Sequence, residues 1–206
     1  MPVTTAAAHP PKIAISACAT GVEVRNSSGH KEWRQWEEGC LTDPVLRDNF
    51  LTRVFAYAAW QELRASGLSR RGLTDFHSRY KYLLMAHNPL QYKVLGRLLG
   101  SMGKSDPNEI GPRYFSQLMA ALKQCATRRT HTNVLQHLSG YLRHSLNTED
   151  KQHMQQLIGQ YRLGIVPLRV PLTLLKQHFG QHPDPYVALQ VYLQPYPENL
   201  SLRDVI

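Results

Sequence analysis

Nowhere in its 206 residues does the chain run to the roughly 18 uninterrupted apolar residues of a membrane helix, so a membrane-spanning protein is not expected. The opening MPVTTAAAHPPK has no charged segment followed by an apolar one, so no secretory signal is read there. Cysteine is scarce. Cys18, Cys40 and Cys125 are odd in number and far apart, which argues against a disulfide framework and fits a reducing cytoplasm. Metal-binding patterns are missing as well: there is no CxxC, no HExxH and no His-x3-His with carboxylates beside it. Phosphate-cradling glycine loops and a GxSxG elbow are absent, so no cofactor is expected.

Acidic residues are few where basic ones are many. The net charge is +9, with 24 lysines and arginines against 15 carboxylates. Residues 1–41, 42–67 and 148–206 are each balanced. Residues 68–147 hold twelve basic and three acidic side chains and account for the whole excess. A neutral protein with one basic middle is suited to polyanions; the plainer reading is a solvated surface that aids solubility.

Apolar residues make up 42% of the chain, an ordinary value for a folded domain. Lys12–Cys18 alternates like a short strand. From Thr42 onward the pattern is helical. Asp43-Pro44 opens a first helix that Gly67 ends, and Thr74 is expected to cap a second that runs to Asn88-Pro89. A third carries Leu90 to Leu99. Pro112 is expected to open a fourth, with Cys125 on its apolar stripe as an inert thiol, and Thr130 or Thr132 a fifth. Thr148 starts a sixth that Gly164 closes, a short seventh follows Pro171, and Pro185 starts an eighth. Short connections predict an all-α bundle of about eight packed helices over residues 42–206, preceded by an N-terminal piece, residues 1–41.

Two segments carry binding chemistry. In FHSRYKYLLMAHNP, His77 and Lys81 lie four apart and would share a helix face with Tyr80 beside them, a set able to hold a phosphate and stack on a base. Arg79 points elsewhere on such a helix. The alternative places Tyr80 in the core and leaves His77 and Lys81 as a wet edge. In KQCATRRTHTNVLQHLSGYLRH, Arg128, Arg129 and His131 sit at a predicted helix start, where free N–H groups and the dipole favour anions. Lys123 adds charge just upstream, Asn133 could add a hydrogen bond, and His137, Tyr141 and His144 line one face. A buried, satisfied histidine is an equal alternative for His137.

The segments HSRYKYLLMAHNP, THTNVLQHLSGYLRHSL and IGQYRLGIVPLRVPLTLLKQH, with PYP near the end, resemble the YbgA-like domain family, a domain of unknown function, over about residues 43–206. Upstream, KIAISACATGVEVRNSSGHK resembles the opening of a TudS-like desulfidase domain. That resemblance implies fusions that remove sulfur from 4-thiouridine in transfer RNA through a 4Fe-4S cluster on three cysteines, with the YbgA-like part helping to hold the RNA. Cys18 matches the first cluster cysteine, but the Cys-Pro-Glu and Ser-Cys-Gly motifs are missing and Cys40 has no matching context. One cysteine cannot supply a three-cysteine site, so no enzymatic activity is carried over. Residues 1–41 read as a truncated TudS-like remnant and linker, expected to be poorly ordered.

Three functions follow. The first is a cytoplasmic accessory domain that binds RNA, transfer RNA first among them, through His77, Arg79, Tyr80, Lys81, Lys123, Arg128, Arg129, His131, Asn133 and His137. The second is a module that docks on an RNA-modifying enzyme, using the apolar surface near Trp33, Trp36 and Trp60. The third is an enzyme in which His77, His131 or His137 serves as acid or base; no carboxylate or nucleophile is paired with them by spacing.

Overall fold

The computed structural model describes residues 43–103, 105–200 and 203. The strand expected at Lys12–Cys18, the TudS-like remnant, Cys40, Trp33, Trp36 and Lys104 lie outside the described residues. Among the described residues there are nine α-helices and no strand: α1 Pro44–Ala65, α2 Arg70–Arg79, α3 Lys81–His87, α4 Pro89–Gly100, α5 Pro107–Leu122, α6 Arg128–Tyr141, α7 Thr148–Arg162, α8 Arg169–Gln181 and α9 Pro185–Ala188. Two single 3-10 turns, Val191–Leu193 and Glu198–Leu200, follow. The fold is all-α, as the sequence pattern implies.

The helix starts follow from capping chemistry. Asp43 accepts hydrogen bonds from the backbone N–H groups of Val45 and Leu46 at 2.8 and 3.1 Å, with Pro44 in the first turn, where a missing N–H costs nothing. Asp106-Pro107 repeats this device for α5 and Asn88-Pro89 for α4. At α7, Asn147 accepts from the Asp150 N–H at 2.8 Å. Gly67 and Gly164, with φ of 90° and 80°, end α1 and α7 in a conformation that β-carbons disfavour.

Several expected boundaries shift, among them the start of α8, which lies at Arg169 rather than after Pro171 and opens a helix of 13 residues. Ser69, not Thr74, caps α2; Thr74 sits inside the helix with its hydroxyl bonded back to the Arg70 carbonyl at 2.9 Å. Asp106 starts α5 a turn and a half before Pro112, which the helix accommodates in its interior. Cys125 falls in the connection after α5 and is half-buried. Thr127 rather than Thr130 or Thr132 caps α6, because Thr127 and Thr130 bond reciprocally to each other's backbone N–H at 2.9 and 3.2 Å.

The expected second helix is also two helices. The backbone leaves the helical region at Tyr80, between α2 and α3. Its ring is buried and stacked on Phe76 at 4.4 Å, in an aromatic cluster with Trp60, Tyr114 and Phe115 that joins α1, α2 and α5. Beyond the bend, α3 runs through the middle of the bundle with Tyr82, Leu83, Leu84, Ala86 and His87 all buried. It packs on α2, α4, α5, α6 and the turn at Val191–Leu193, and α6 packs in turn on α7 and α8. A helix buried on nearly every side shows no amphipathic period, which is why its boundary was not legible.

Candidate nucleic-acid interface

Helix α6, RRTHTNVLQHLSGY, contains no carboxylate. One side of it, Val134, Leu135 and Leu138, is core. The other side exposes Arg129, Asn133, His137 and Tyr141 at intervals of four residues, about 18 Å from end to end at 1.5 Å per residue. Arg143 and His144, also exposed, continue beyond its end, so the sequence-predicted Arg129, Asn133 and His137 do share one open face.

At the C-terminal end of this stripe, α6 meets the start of α3 and α9. The Tyr82 hydroxyl donates to the Tyr141 hydroxyl at 3.1 Å, and Tyr141 stacks on Tyr186 with ring centres 6.0 Å apart and planes within 21°. Lys81 holds its ammonium 4.9 Å from the Tyr82 ring centre and 5.6 Å from that of Tyr186. His137 lies 6.5 Å from the Tyr82 ring. Burial pushes the Tyr82 phenol well above its ordinary range, and the bond to Tyr141 adds to this, so Tyr82 stays a proton donor.

At the N-terminal end, Arg128 turns back onto the protein. It donates to the Tyr161 carbonyl at 3.2 Å and covers the Tyr161 ring at 5.1 Å. Arg129 beside it is exposed. Arg79, Lys123 and Arg129 are all exposed and make no ion pair among the described residues. The thirteen helical steps from Arg128 to Tyr141 set the two ends about 20 Å apart, so Lys81 and the arginine pair form the ends of a band, not one spot.

Two expected contact residues are placed elsewhere. Tyr80 is 3% exposed in the aromatic core and cannot stack on an external base. His131, also 3% exposed, faces inward with Nδ1 2.8 Å from the Tyr192 hydroxyl. The cause is helical phase: His131 is six positions from His137, while Val134, Leu135 and Leu138 fix its side of α6 toward the core. Burial, with Arg203 nearby, holds the His131 pKa well below its ordinary value. His77 does not meet Lys81, because the bend at Tyr80 separates their helices. It is half-buried, with Nδ1 3.2 Å from the Tyr114 hydroxyl and its ring stacked on Tyr92 at 5.3 Å, and desolvation lowers its pKa to about 4. Trp60 lies in the core, so it offers no docking surface.

Sequence reasoning missed Tyr82 and Tyr186. Tyr82 reads as one more apolar residue of YKYLLM, and Tyr186 is remote in sequence from Lys81 and Tyr141, so only the fold joins them. Among the described residues no three histidine, cysteine or carboxylate side chains gather to hold a metal ion, and no helix is long and apolar enough to cross a membrane.

A family model described as "Protein of unknown function (DUF1722)" matches residues 81–197. The chain belongs to this family. It is also 33% identical over 157 residues to "Uncharacterized protein YbgA" of Escherichia coli (strain K12), an alignment that covers 76% of this chain and 93% of that protein. No solved structure matches. The YbgA-like resemblance read from the sequence is thus confirmed. The DUF1722 span takes in Lys81, Tyr82, all of α6 and Tyr186, and so the whole band, while α1, α2, His77, Arg79 and Tyr80 precede it.

Proposed function

We propose that this DUF1722 protein is an RNA-binding accessory domain, with transfer RNA as its first expected ligand, and that it performs no catalysis of its own. The observation that carries this reading is the exposed, carboxylate-free face of α6, on which Arg129, Asn133, His137 and Tyr141 stand in line and end at Lys81. Cations at the two ends of such a line suit phosphates several nucleotides apart on one strand, and the hydrogen-bonding and aromatic side chains between them add contacts to sugar and base. Arg128 is partly committed to Tyr161, and the exposed Arg79 and Lys123, on other parts of the chain, are offered as further phosphate contacts. The resemblance to the RNA-holding part of desulfidase fusions agrees with this reading. The test is a gel shift of transfer RNA with wild type and with Arg129→Glu/Arg143→Glu. Arg129 and Arg143 make no ion pair among the described residues, Arg143 touching only the His144 ring nitrogen at 3.1 Å, so two charge reversals there should weaken binding more than tenfold; unchanged affinity removes α6 from the interface.

A second reading, a module that docks on an RNA-modifying enzyme, is favoured by one feature. Leu163 and Ile165 are 70% and 66% exposed on either side of Gly164, with Arg128 packed against that glycine. Exposed aliphatic side chains set among arginines suit an apolar surface with an acidic rim. Leu163→Ser/Ile165→Ser separates the two readings: it leaves transfer RNA affinity unchanged if α6 alone is the contact.

A further inference from the structure

We propose that Lys81, Tyr82, Tyr141 and Tyr186 form a seat for one unpaired nucleobase, so that the protein takes single-stranded or looped RNA in preference to duplex. This rests on the RNA reading and sharpens it.

Tyr141 is 38% exposed, yet its ring is not loose. Tyr186 stacks on it, and the buried Tyr82 donates a hydrogen bond to its hydroxyl. A ring held from two sides and open to water elsewhere is preorganised for a flat ligand, because little side-chain entropy remains to be lost on binding. The residue before it, Gly140, has nothing within 4 Å of where a β-carbon would sit, so no neighbouring group covers the helix at that position.

The polar groups select the kind of flat ligand. Tyr141 accepts the proton of Tyr82, which leaves its own O–H free to donate outward, to a base carbonyl or ring nitrogen. The place a cationic ligand would take among the rings is filled by the protein's own Lys81, 4.9 and 5.6 Å from two of them. A trimethylammonium-type guest is therefore disfavoured, and a neutral π-system with an anion attached is favoured. Lys81 makes no ion pair among the described residues, and the exposed His137 lies 6.5 Å from the same Tyr82 ring that Lys81 covers. Together they suit the phosphates that flank a base.

Duplex RNA does not satisfy this site. Its base faces are stacked on each other, and an A-form helix offers sugars and phosphates to a protein surface, whereas unpaired bases can be splayed onto aromatic rings. Stacking is tolerant of base identity, so the seat implies a preference for unpaired nucleotides without a strict sequence.

The test measures fluorescence anisotropy of two labelled probes, a single-stranded oligoadenylate and a blunt RNA duplex of equal length, with the full chain. Wild type should bind the single strand at least tenfold more tightly. Tyr141→Ala should weaken single-strand binding by about tenfold or more and leave duplex binding unchanged, while Tyr141→Phe, which keeps the ring, should retain most of the affinity. Tyr186→Leu, which removes the supporting ring, provides an independent variant and should also lose single-strand affinity. The seat is refuted if Tyr141→Ala and Tyr186→Leu both bind the single strand as wild type does. Equal wild-type affinity for both probes also refutes the seat but leaves the RNA reading standing. Binding to neither probe, nor to transfer RNA, refutes both.

Discussion

Asp48 in the second turn of α1 and Arg203, 155 positions later, meet inside the protein with Nε 3.2 Å from a carboxylate oxygen. Both side chains are buried. The Tyr196 hydroxyl donates to the same Asp48 oxygen. Arg203 also donates to the Tyr192 carbonyl at 2.8 Å and lies over the Tyr192 ring, whose hydroxyl bonds His131 of α6. Burial works against the Arg203 charge, but Asp48, Tyr192 and Tyr196 more than offset it and hold its pKa above the ordinary value. This network locks the last turns of the chain onto α1 and onto the inner side of the proposed RNA-binding helix.

Removing one partner of a buried pair leaves the other charged and unsatisfied, which typically costs about 3–5 kcal/mol. Asp48→Ala should therefore lower the melting temperature by on the order of 10 °C for a domain of this size, as followed by circular dichroism. Asp48→Leu/Arg203→Met, which removes both charges, should recover a large part of the loss. Equal damage in the single and the double variant would show that packing, not charge, holds the two ends together.

That network was not legible in the sequence, and the reason is general. Capping residues and helical periodicity act within a few positions, so Asp43-Pro44, the start at Thr148, and Gly164 could be read directly. Asp48 and Arg203, or Tyr82 and Tyr186, gain their meaning only when distant helices meet. The candidate site divides in the same way. Arg129, Asn133 and His137 follow from spacing along one helix, whereas Tyr80 and His131 exchange places with the core because neighbouring helices bury them. Phase relative to the rest of the bundle, which a single helix does not encode, decides which side of it is wet.

Stability should fall on acidification through three desolvated histidines, His87 and His131 buried and His77 half-buried. Desolvation lowers the pKa of His77 to about 4 and also lowers those of His87 and His131. In the unfolded chain each takes a proton near pH 6.5. Below that value the unfolded state binds more protons than the folded one, so the stabilisation is complete above about pH 6.5 and is lost as the pH falls toward about 4. Each histidine can contribute a slope of up to about 1.4 kcal/mol per pH unit. Urea midpoints near pH 7.5 and near pH 5 should differ clearly, and His77→Phe should flatten the dependence. A midpoint that is independent of pH across this range contradicts the assignment.

Two glycines should respond oppositely to alanine. At Gly111 a β-carbon would stand 2.6 Å from Leu68 Cδ1 and 3.4 Å from the Trp60 ring, where α5 crosses α1. Leu68 must move, and Gly111→Ala should destabilise by about 1–3 kcal/mol. Gly140 on the exposed side of α6 has open space around it, so Gly140→Ala should stabilise by about 0.5–1 kcal/mol through helix propensity. Chemical denaturation of the two variants beside wild type reads both signs in one experiment.

Salt dependence tells which arginine of the pair at the start of α6 touches phosphate. For single-stranded RNA, the logarithm of affinity falls against the logarithm of salt with a slope of about 0.7 for each phosphate neutralised. Arg129 is exposed and makes no ion pair among the described residues, whereas Arg128 is held by the carbonyl and ring of Tyr161. Arg129→Ala should reduce the slope by about 0.7 with no change in melting temperature. Arg128→Ala should lower the melting temperature, because its contacts tie α6 to α7, and should change the slope less. If Arg128→Ala moves the slope and Arg129→Ala does not, the RNA backbone runs along the α6–α7 junction and not along the line from Arg129 to Tyr141.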